Sequence, residues 1–223
     1  MCSWKHSLRP ALAALVFLSV LTGIVYPAAV WAGAWVLFPF QASGSLVRDH
    51  GRLVGSQRIA QDASDSGSFH SRPSAAGSGY VADSSSGSNV GPLSRSYVDT
   101  VIPGRMAAYR NENGLPLSVP VPADAVTASG SGLDPDITLA NALLQVPRVA
   151  RVHHLNPNVL AAYVRSQAQD GIWYAERERP VNVLALNLAL RDGRIRLRLS
   201  SVSAGCAGAT VRGNRWRTPR HGR

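Results

Sequence analysis

The sequence predicts a single N-terminal transmembrane helix followed by one mixed α+β extracytoplasmic domain. Three observations predict it. No charge occurs between Arg9 and Arg48, so 38 uncharged residues run in a row from Pro10 to Val47. Their apolar part, residues 11–38, exceeds the roughly 20 residues that a helix needs to cross a hydrocarbon core of about 30 Å. The remainder is polar, of a length suited to one domain, and alternates short strand-like runs with helix starts and glycine stops.

The first element is the anchor. Gly23 and Pro27 fall inside it, which membrane helices tolerate better than soluble ones. Trp31, Trp35, Phe38 and Phe40 stand near its far end as interfacial aromatics. A cleaved signal peptide is the rival, with Lys5, His6 and Arg9 ahead of the apolar run and Ala32-Gly33-Ala34 as a small-residue cleavage pattern. The apolar run is nearly twice the roughly 7–15 residues of a signal core, and this favours the anchor. Lys5 and Arg9 lie tight against its start, Arg48 and Arg52 farther from its end. Proximity puts residues 1–10 in the cytoplasm and the domain outside, although the count of basic residues alone does not fix orientation.

The domain is expected over residues 44–190. Gly44 to Gly55 reads as a hairpin, with strands Ser45–Arg48 and Arg52–Gly55 around an Asp49-His50-Gly51 turn. Residues 57–93, rich in Ser, Gly, Ala and Asp, read as irregular. Ser96 to Asn111 reads as a helix kinked by Pro103 and stopped by Asn111-Glu-Asn-Gly114. Val119 to Val126 is extended because its paired prolines exclude a central strand. Asp134 is the expected N-cap, with Pro135 at the first position, of a helix reaching Pro147, where a second begins and runs to His154. Asn156-Pro157 repeats the device and opens a helix to Gln167. Gly171 to Tyr174 reads as a small strand. Pro180 to Leu190 reads as a short buried helix with Asn182 and Asn187 tied to backbone. The Arg-Ile-Arg-Leu alternation after Arg191 suggests an edge strand.

The net charge of +10 is a property of one segment. Residues 191–223 hold nine arginines against Asp192, a net of +8, and read as a disordered Arg-rich extension. Residues 1–190, with 14 basic and 12 acidic groups, are near neutral, so basicity says nothing of what the domain binds. Cys2 and Cys206 lie at opposite ends with no ligand-spaced partner. The one lysine, Lys5, precedes the anchor, which leaves the domain without a P-loop lysine or a Ser-x-x-Lys pair.

Three features invite a chemical reading. Phe69-His70-Ser71-Arg72-Pro73-Ser74 puts an imidazole and a guanidinium in one loop, which suits an anion or carbonyl, or a loop pinned by its own hydrogen bonds. Asp134 and Asp136 with Asp124 have the chemistry of a hard-cation site, but a helix start explains the first two better. The loops Gly87 to Pro92 and Ser129-Gly130-Ser131-Gly132 resemble anion-binding nests, weakened by the absence of lysine. His153 and His154, adjacent on a helix, make no chelating face. These residues alone indicate an anchored domain with no catalytic site of its own. An anchored extracytoplasmic enzyme or binding module using Phe69–Ser74 with Asp124 or Asp134 is the alternative.

The order of motifs resembles the C subunit of the bacterial Kdp potassium-transporting P-type ATPase. The anchor region matches in Leu8-Arg-Pro10, Leu21-Thr-Gly23, Tyr26-Pro27 and Phe38-Pro-Phe-Gln-Ala42. The domain matches in Phe69-His-Ser-Arg-Pro-Ser-Ala75, Ser86-Gly-Ser88-Asn89-Val-Gly91-Pro92, Thr127-Ala-Ser-Gly-Ser-Gly-Leu-Asp-Pro135, Gln145-Val-Pro147-Arg148-Val-Ala150 and Val181-Asn-Val-Leu184 through Leu190. Together they span about residues 8 to 190. Ser71 stands where the family usually has Gly, and Asp136-Ile-Thr138 where it has His-Ile-Ser. The run after Arg191 exceeds the usual family end.

The resemblance implies an inner-membrane complex. Its partners would be a channel-like A subunit that selects potassium, a P-type B subunit that hydrolyses ATP, and a small F subunit. The C subunit would be an accessory, stabilising member, its anchor packed in the bilayer against partner helices and its periplasmic domain capping the A subunit. The motif residues, including Asn182 and Asn187, would then serve structure and interface, with no metal and no nucleic acid. ATP binding to this subunit is implied by resemblance only, and an extracytoplasmic domain without lysine gives it little physical support.

Overall fold

The computed structural model describes residues 4–91, 93–171, 174–193 and 195. It divides into two compact units, Met1–Leu46 and Val47–Arg223, each taken by itself here. The first is a helical rod: α1 (Trp4–Val20), one π turn (Leu21–Val25), α2 (Tyr26–Leu37) and a short α3 (Pro39–Ala42). Residues Leu8–Leu37 form one helix of 30 residues, long and apolar enough to cross a membrane, and none of these residues is buried within the chain.

The second unit opens with the expected hairpin, β1 (Leu46–Asp49) and β2 (Arg52–Ser56), whose turn places Gly51 at φ 82°. The chain to residue 91 is irregular, as its composition predicts. A π turn, Tyr97–Val101, then leads into α4 (Ile102–Asn113). The widened turn lies immediately before Pro103, where a missing N–H breaks the α-helical ladder. Gly114 ends α4 in the left-handed region at φ 64°.

Asp134 does not start a helix. The chain first makes a strand, β3 (Asp136–Thr138), antiparallel to β4 (Pro180–Asn182), with Ile137 opposite Val181. Thr138 is the cap of α5 (Leu139–Val152), its Oγ1 accepting from the Asn141 N–H at 3.2 Å. The physical reason is burial: Ile137 and Val181 are both in the core, and their pairing outweighs a local capping preference. Pro147 likewise does not divide α5. The helix continues through it because Pro147 is exposed while Val146, Val149 and Ala150 are buried around it. Extended backbone over residues 119–126 is interrupted by a single 3₁₀ turn, Ala123–Ala125.

Asn156 caps α6 (Pro157–Gln167) as expected, its side chain accepting from the Asn158 N–H at 2.9 Å. Gly171 and Tyr174 close a turn, the Tyr174 N–H donating to the Gly171 carbonyl at 3.2 Å, where a strand was expected. Ile172 and Trp173, the rest of that segment, lie outside the described residues. Asn182 caps α7 (Val183–Arg191) by accepting from the Ala185 N–H at 3.0 Å. The expected edge strand after Arg191 also lies outside the described residues, except for Ile195, which is buried in the core.

That core forms where α5, α6 and α7 pack on the β3–β4 ribbon. Leu160, Val164, Val149, Val181 and Leu186 are buried there, and Phe69, delivered by the irregular segment, is wholly enclosed among them. At about 25 cal/mol per Å², a buried Phe is worth roughly 3 kcal/mol of transfer free energy. An extended segment is thereby pinned across the helices at its centre.

Candidate functional site

Residues 65–76 form a strap, and side chains from elsewhere bind the backbone of residues 66–70 and 72. Asn187 of α7 treats Phe69 as a neighbouring strand would: its Oδ1 accepts from the Phe69 N–H at 2.8 Å and its Nδ2 donates to the Phe69 carbonyl at 3.0 Å. Gln145 of α5 does the same for the next residue, accepting from the His70 N–H at 2.8 Å and donating to its carbonyl at 3.2 Å. Two carboxamides on two helices thus replace a β-ladder for a segment that has none.

Arg148, one turn on from Gln145 along α5, is 5% exposed. Its guanidinium donates to the carbonyls of Ser66 at 2.6 Å and Ser68 at 3.0 Å, to Asn113 Oδ1 at 3.0 Å and to Gln145 Oε1 at 3.0 Å. Burial pulls its pKa down, and the Glu112 carboxylate at 3.9 Å opposes that. Asn141 completes the face: its Nδ2 donates to Asp124 and its Oδ1 accepts from Gln145 at 2.9 Å and from the Tyr109 hydroxyl at 2.8 Å. Tyr109 is pushed well above the usual phenol range, first by burial and then by the Asp124 charge.

Both ring nitrogens of His70 face acceptors, Nδ1 the Glu112 carboxylate at 2.8 Å and Nε2 the Asp65 carbonyl at 2.9 Å. Engaged on both sides, the imidazole is a brace between the strap and α4. Beside it a groove of about 240 Å³ is lined by Asp62, Pro73, Tyr80, Arg105, Tyr109 and Glu112, among others.

The second group of motif residues meets at a junction of loops. Arg72 donates to Asp134 at 3.2 Å and to the Ala128 carbonyl at 3.4 Å. The Ser74 hydroxyl donates to the Gly132 carbonyl at 2.6 Å, and the Ser86 N–H to the Ser131 carbonyl at 3.1 Å. The end of the Ser129–Gly132 loop turns its donors inward. The N–H groups of Gly132, Leu133 and Asp134 donate to the Ser129 carbonyl, Ser131 Oγ and Ser129 Oγ, respectively.

The three aspartates do not converge. Asp124 accepts from the Thr138 N–H and hydroxyl and from Asn141, whereas Asp134 accepts from Arg72 and the Asp136 N–H, and Asp136 accepts from Asn182. Ser88, Asn89 and Gly91 are exposed, Pro135 precedes β3, and Pro92 lies outside the described residues. His153 does not share a face with His154: its Nε2 lies 2.8 Å from the Gly67 carbonyl. Asp49, His50 and Asp192 bring one potential ligand atom each within 4.8 Å, but the surface ion pair of His50 with Asp49 already accounts for two of them.

Residues 8–192 match the family model described as KdpC, K+-transporting ATPase, c chain. The chain belongs to the KdpC family. Relatives named Potassium-transporting ATPase KdpC subunit agree. One from Mycobacterium tuberculosis is 45% identical over 187 residues, 83% of this chain and 98% of its own. One from Caulobacter vibrioides is 48% identical over 184 residues, 82% and 91% of the two chains. One from Methylorubrum extorquens is 44% identical over 199 residues, 84% and 97%.

In this KdpC chain Phe69, His70, Gln145, Arg148 and Asn187 all belong to the family motifs, and the structure brings them into one network. The motifs miss Asn113, Glu112, Tyr109 and Asn141. A signal for Asn141 exists: Asn141, Gln145 and Arg148 repeat at spacings of four and three along a helix that is otherwise apolar up to Ala150, one polar stripe facing inward.

Asp136 gives the KdpC domain a testable pH dependence. Burial raises its pKa first, Asp134 adds to this, and hydrogen bonding from Asn182 opposes it. A folded value above the unfolded one means stability that is complete below the unfolded pKa and lost as pH rises through the folded pKa. Asp65 has the opposite sign: its pKa is lowered chiefly by the Ser68 hydroxyl, so its contribution is lost as pH falls. Asp136→Asn is therefore expected to flatten the decline of melting temperature above about pH 4 while leaving the acid limb in place. An unchanged neutral-side slope in a melting series from acid to neutral pH would refute it.

Proposed function

We propose that this chain is a non-catalytic accessory subunit of a high-affinity, ATP-driven potassium importer. It assembles with a channel-like A subunit, a P-type ATPase B subunit and a small F subunit. The observation that carries this is the use made of the motif side chains. His70, Gln145, Arg148 and Asn187 have their hydrogen-bonding groups committed to backbone, to each other and to the side chains of Glu112, Asn113 and Asn141, so the groups that would do chemistry instead hold a strap in place. The relatives' name, a subunit of a potassium-transporting ATPase, supports the assembly.

In this reading the apolar helix packs in the inner membrane beside partner helices. Lys5 and Arg9, close to its start, keep the amino terminus in the cytoplasm and the domain in the periplasm. ATP is hydrolysed by the B subunit. The domain has no lysine, and the N–H groups of Gly132, Leu133 and Asp134 at the end of its Ser-Gly loop are already engaged, so ATP binding here rests on family resemblance alone.

The test is affinity purification of the tagged full-length chain from mild-detergent membranes of potassium-starved cells. Co-recovery of a channel-like subunit and a P-type ATPase in fixed ratio is the expected result. A chain that emerges alone, with both partners expressed and solubilised, overturns the proposal.

A further inference from the structure

Hydrophobicity does not explain the middle of the apolar helix. There the backbone widens into the π turn Leu21–Val25, and the Tyr26 N–H donates to the Leu21 carbonyl, five residues back. In an α-helix Tyr26 would serve the Thr22 carbonyl, so that donor is lost. In the π register the donor would be residue 27, a proline with no N–H. The Thr22 carbonyl is left with neither of the donors a helix offers. Its hydroxyl offers no help, because it donates to the Leu18 carbonyl at 2.7 Å and presents only lone pairs outward.

Position makes this consequential. Thr22 and Gly23 are the two central residues of the span Leu8–Leu37, and so lie at mid-bilayer, where no water compensates an unpaired carbonyl. Gly23 is not required by the chain's own packing, since a β carbon there would meet nothing within 4 Å. What it provides is a notch beside the two acceptors through which another helix can approach closely. A second copy of this chain does not fit. Two copies insert with the same polarity, so Thr22 would face Thr22 at equal depth, acceptor against acceptor.

We propose that the Thr22–Gly23 notch docks a transmembrane helix of a different subunit, one presenting a hydroxyl, carboxamide or indole donor at mid-bilayer depth. This deepens the accessory-subunit reading and rests on it. The donor completes the Thr22 carbonyl, and the glycine sets the approach.

The test uses the full-length tagged chain co-expressed with the other subunits of its complex and extracted in mild detergent. Gly23→Leu fills the notch without touching the chain's own fold and is expected to lower recovery of the ATPase subunits at least tenfold. Pro27→Ala restores a helix donor and is expected to lower recovery severalfold. Ile24→Leu, on a neighbouring face, is expected to stay within twofold of wild type. Resistance to carbonate extraction shows that every variant still inserts. Wild-type recovery by both Gly23→Leu and Pro27→Ala, while the wild-type chain brings its partners, overturns this inference alone. A wild-type chain that emerges without partners overturns the accessory-subunit reading and this inference with it.

Discussion

Arg148→Met is expected to lower the stability of the domain by about 3–5 kcal/mol, the cost of removing one member of a buried charged network. Methionine matches the volume of the arginine stem, so packing is largely kept and hydrogen bonding is what changes. The substitution strands the carbonyls of Ser66 and Ser68 and the side-chain oxygen of Asn113 around a site that is 5% exposed. Each orphaned acceptor costs about 1–3 kcal/mol. Arg148→Lys keeps the charge but not the planar fork, and an ammonium cannot reach acceptors on the strap, α4 and α5 together. It is expected to fall within about 1 kcal/mol of the methionine variant. Urea unfolding of the full-length chain in mild detergent, followed by far-ultraviolet circular dichroism, measures both. A methionine variant within about 1 kcal/mol of wild type would show that water replaces the guanidinium, and would remove Arg148 from the group of residues that hold the strap.

How far this fold was legible depended on whether its determinants were local. The β1–β2 hairpin, the Asn156 cap and the disturbance before Pro103 each follow from a few consecutive residues, and each is present. The buried helix expected over Pro180 to Leu190 is present only from Val183, because Pro180–Asn182 pair with β3 as the strand β4 and Asn182 becomes the cap. The start of α5 was misplaced because Asp134 has two suitable roles. Sequence offers it a cap, while the fold gives it Arg72, far away along the chain, and lets Thr138 take the cap once Ile137 has paired with Val181. Long-range strand pairing of three residues leaves no periodic trace. The strap was harder still. Phe69–Ser74 has the composition of a loop, and nothing within it announces that carboxamides from α5 and α7 will bind its backbone. The inward polar stripe of α5 was the readable half of that interaction, and the strap could be matched to it only through the fold.

The Ser-Gly loop offers a sharp test of backbone packing, because two of its glycines do different jobs. Gly132 sits at φ 68°, and a β carbon there would come within 2.5 Å of the Ser86 carbonyl and 2.7 Å of the Ala76 N–H. Gly130, two residues earlier, has no positive φ and meets nothing within 4 Å. Gly132→Ala is therefore expected to cost about 3 kcal/mol, from left-handed strain together with a backbone clash that no rotamer relieves. Gly130→Ala is expected to stay within about 0.5 kcal/mol of wild type. For a domain of this size the first corresponds to a fall in melting temperature of roughly 6–12 °C, measured on the full-length chain in detergent. The loss would pass to Arg72 and Ser74, since the loops that carry their partners Asp134 and Gly132 would have to separate. Equal melting temperatures for the two variants would mean that the loops yield to a methyl group. Their N–H groups would then be free to turn outward, and the anion-nest reading of Ser129–Gly132 would regain its physical basis.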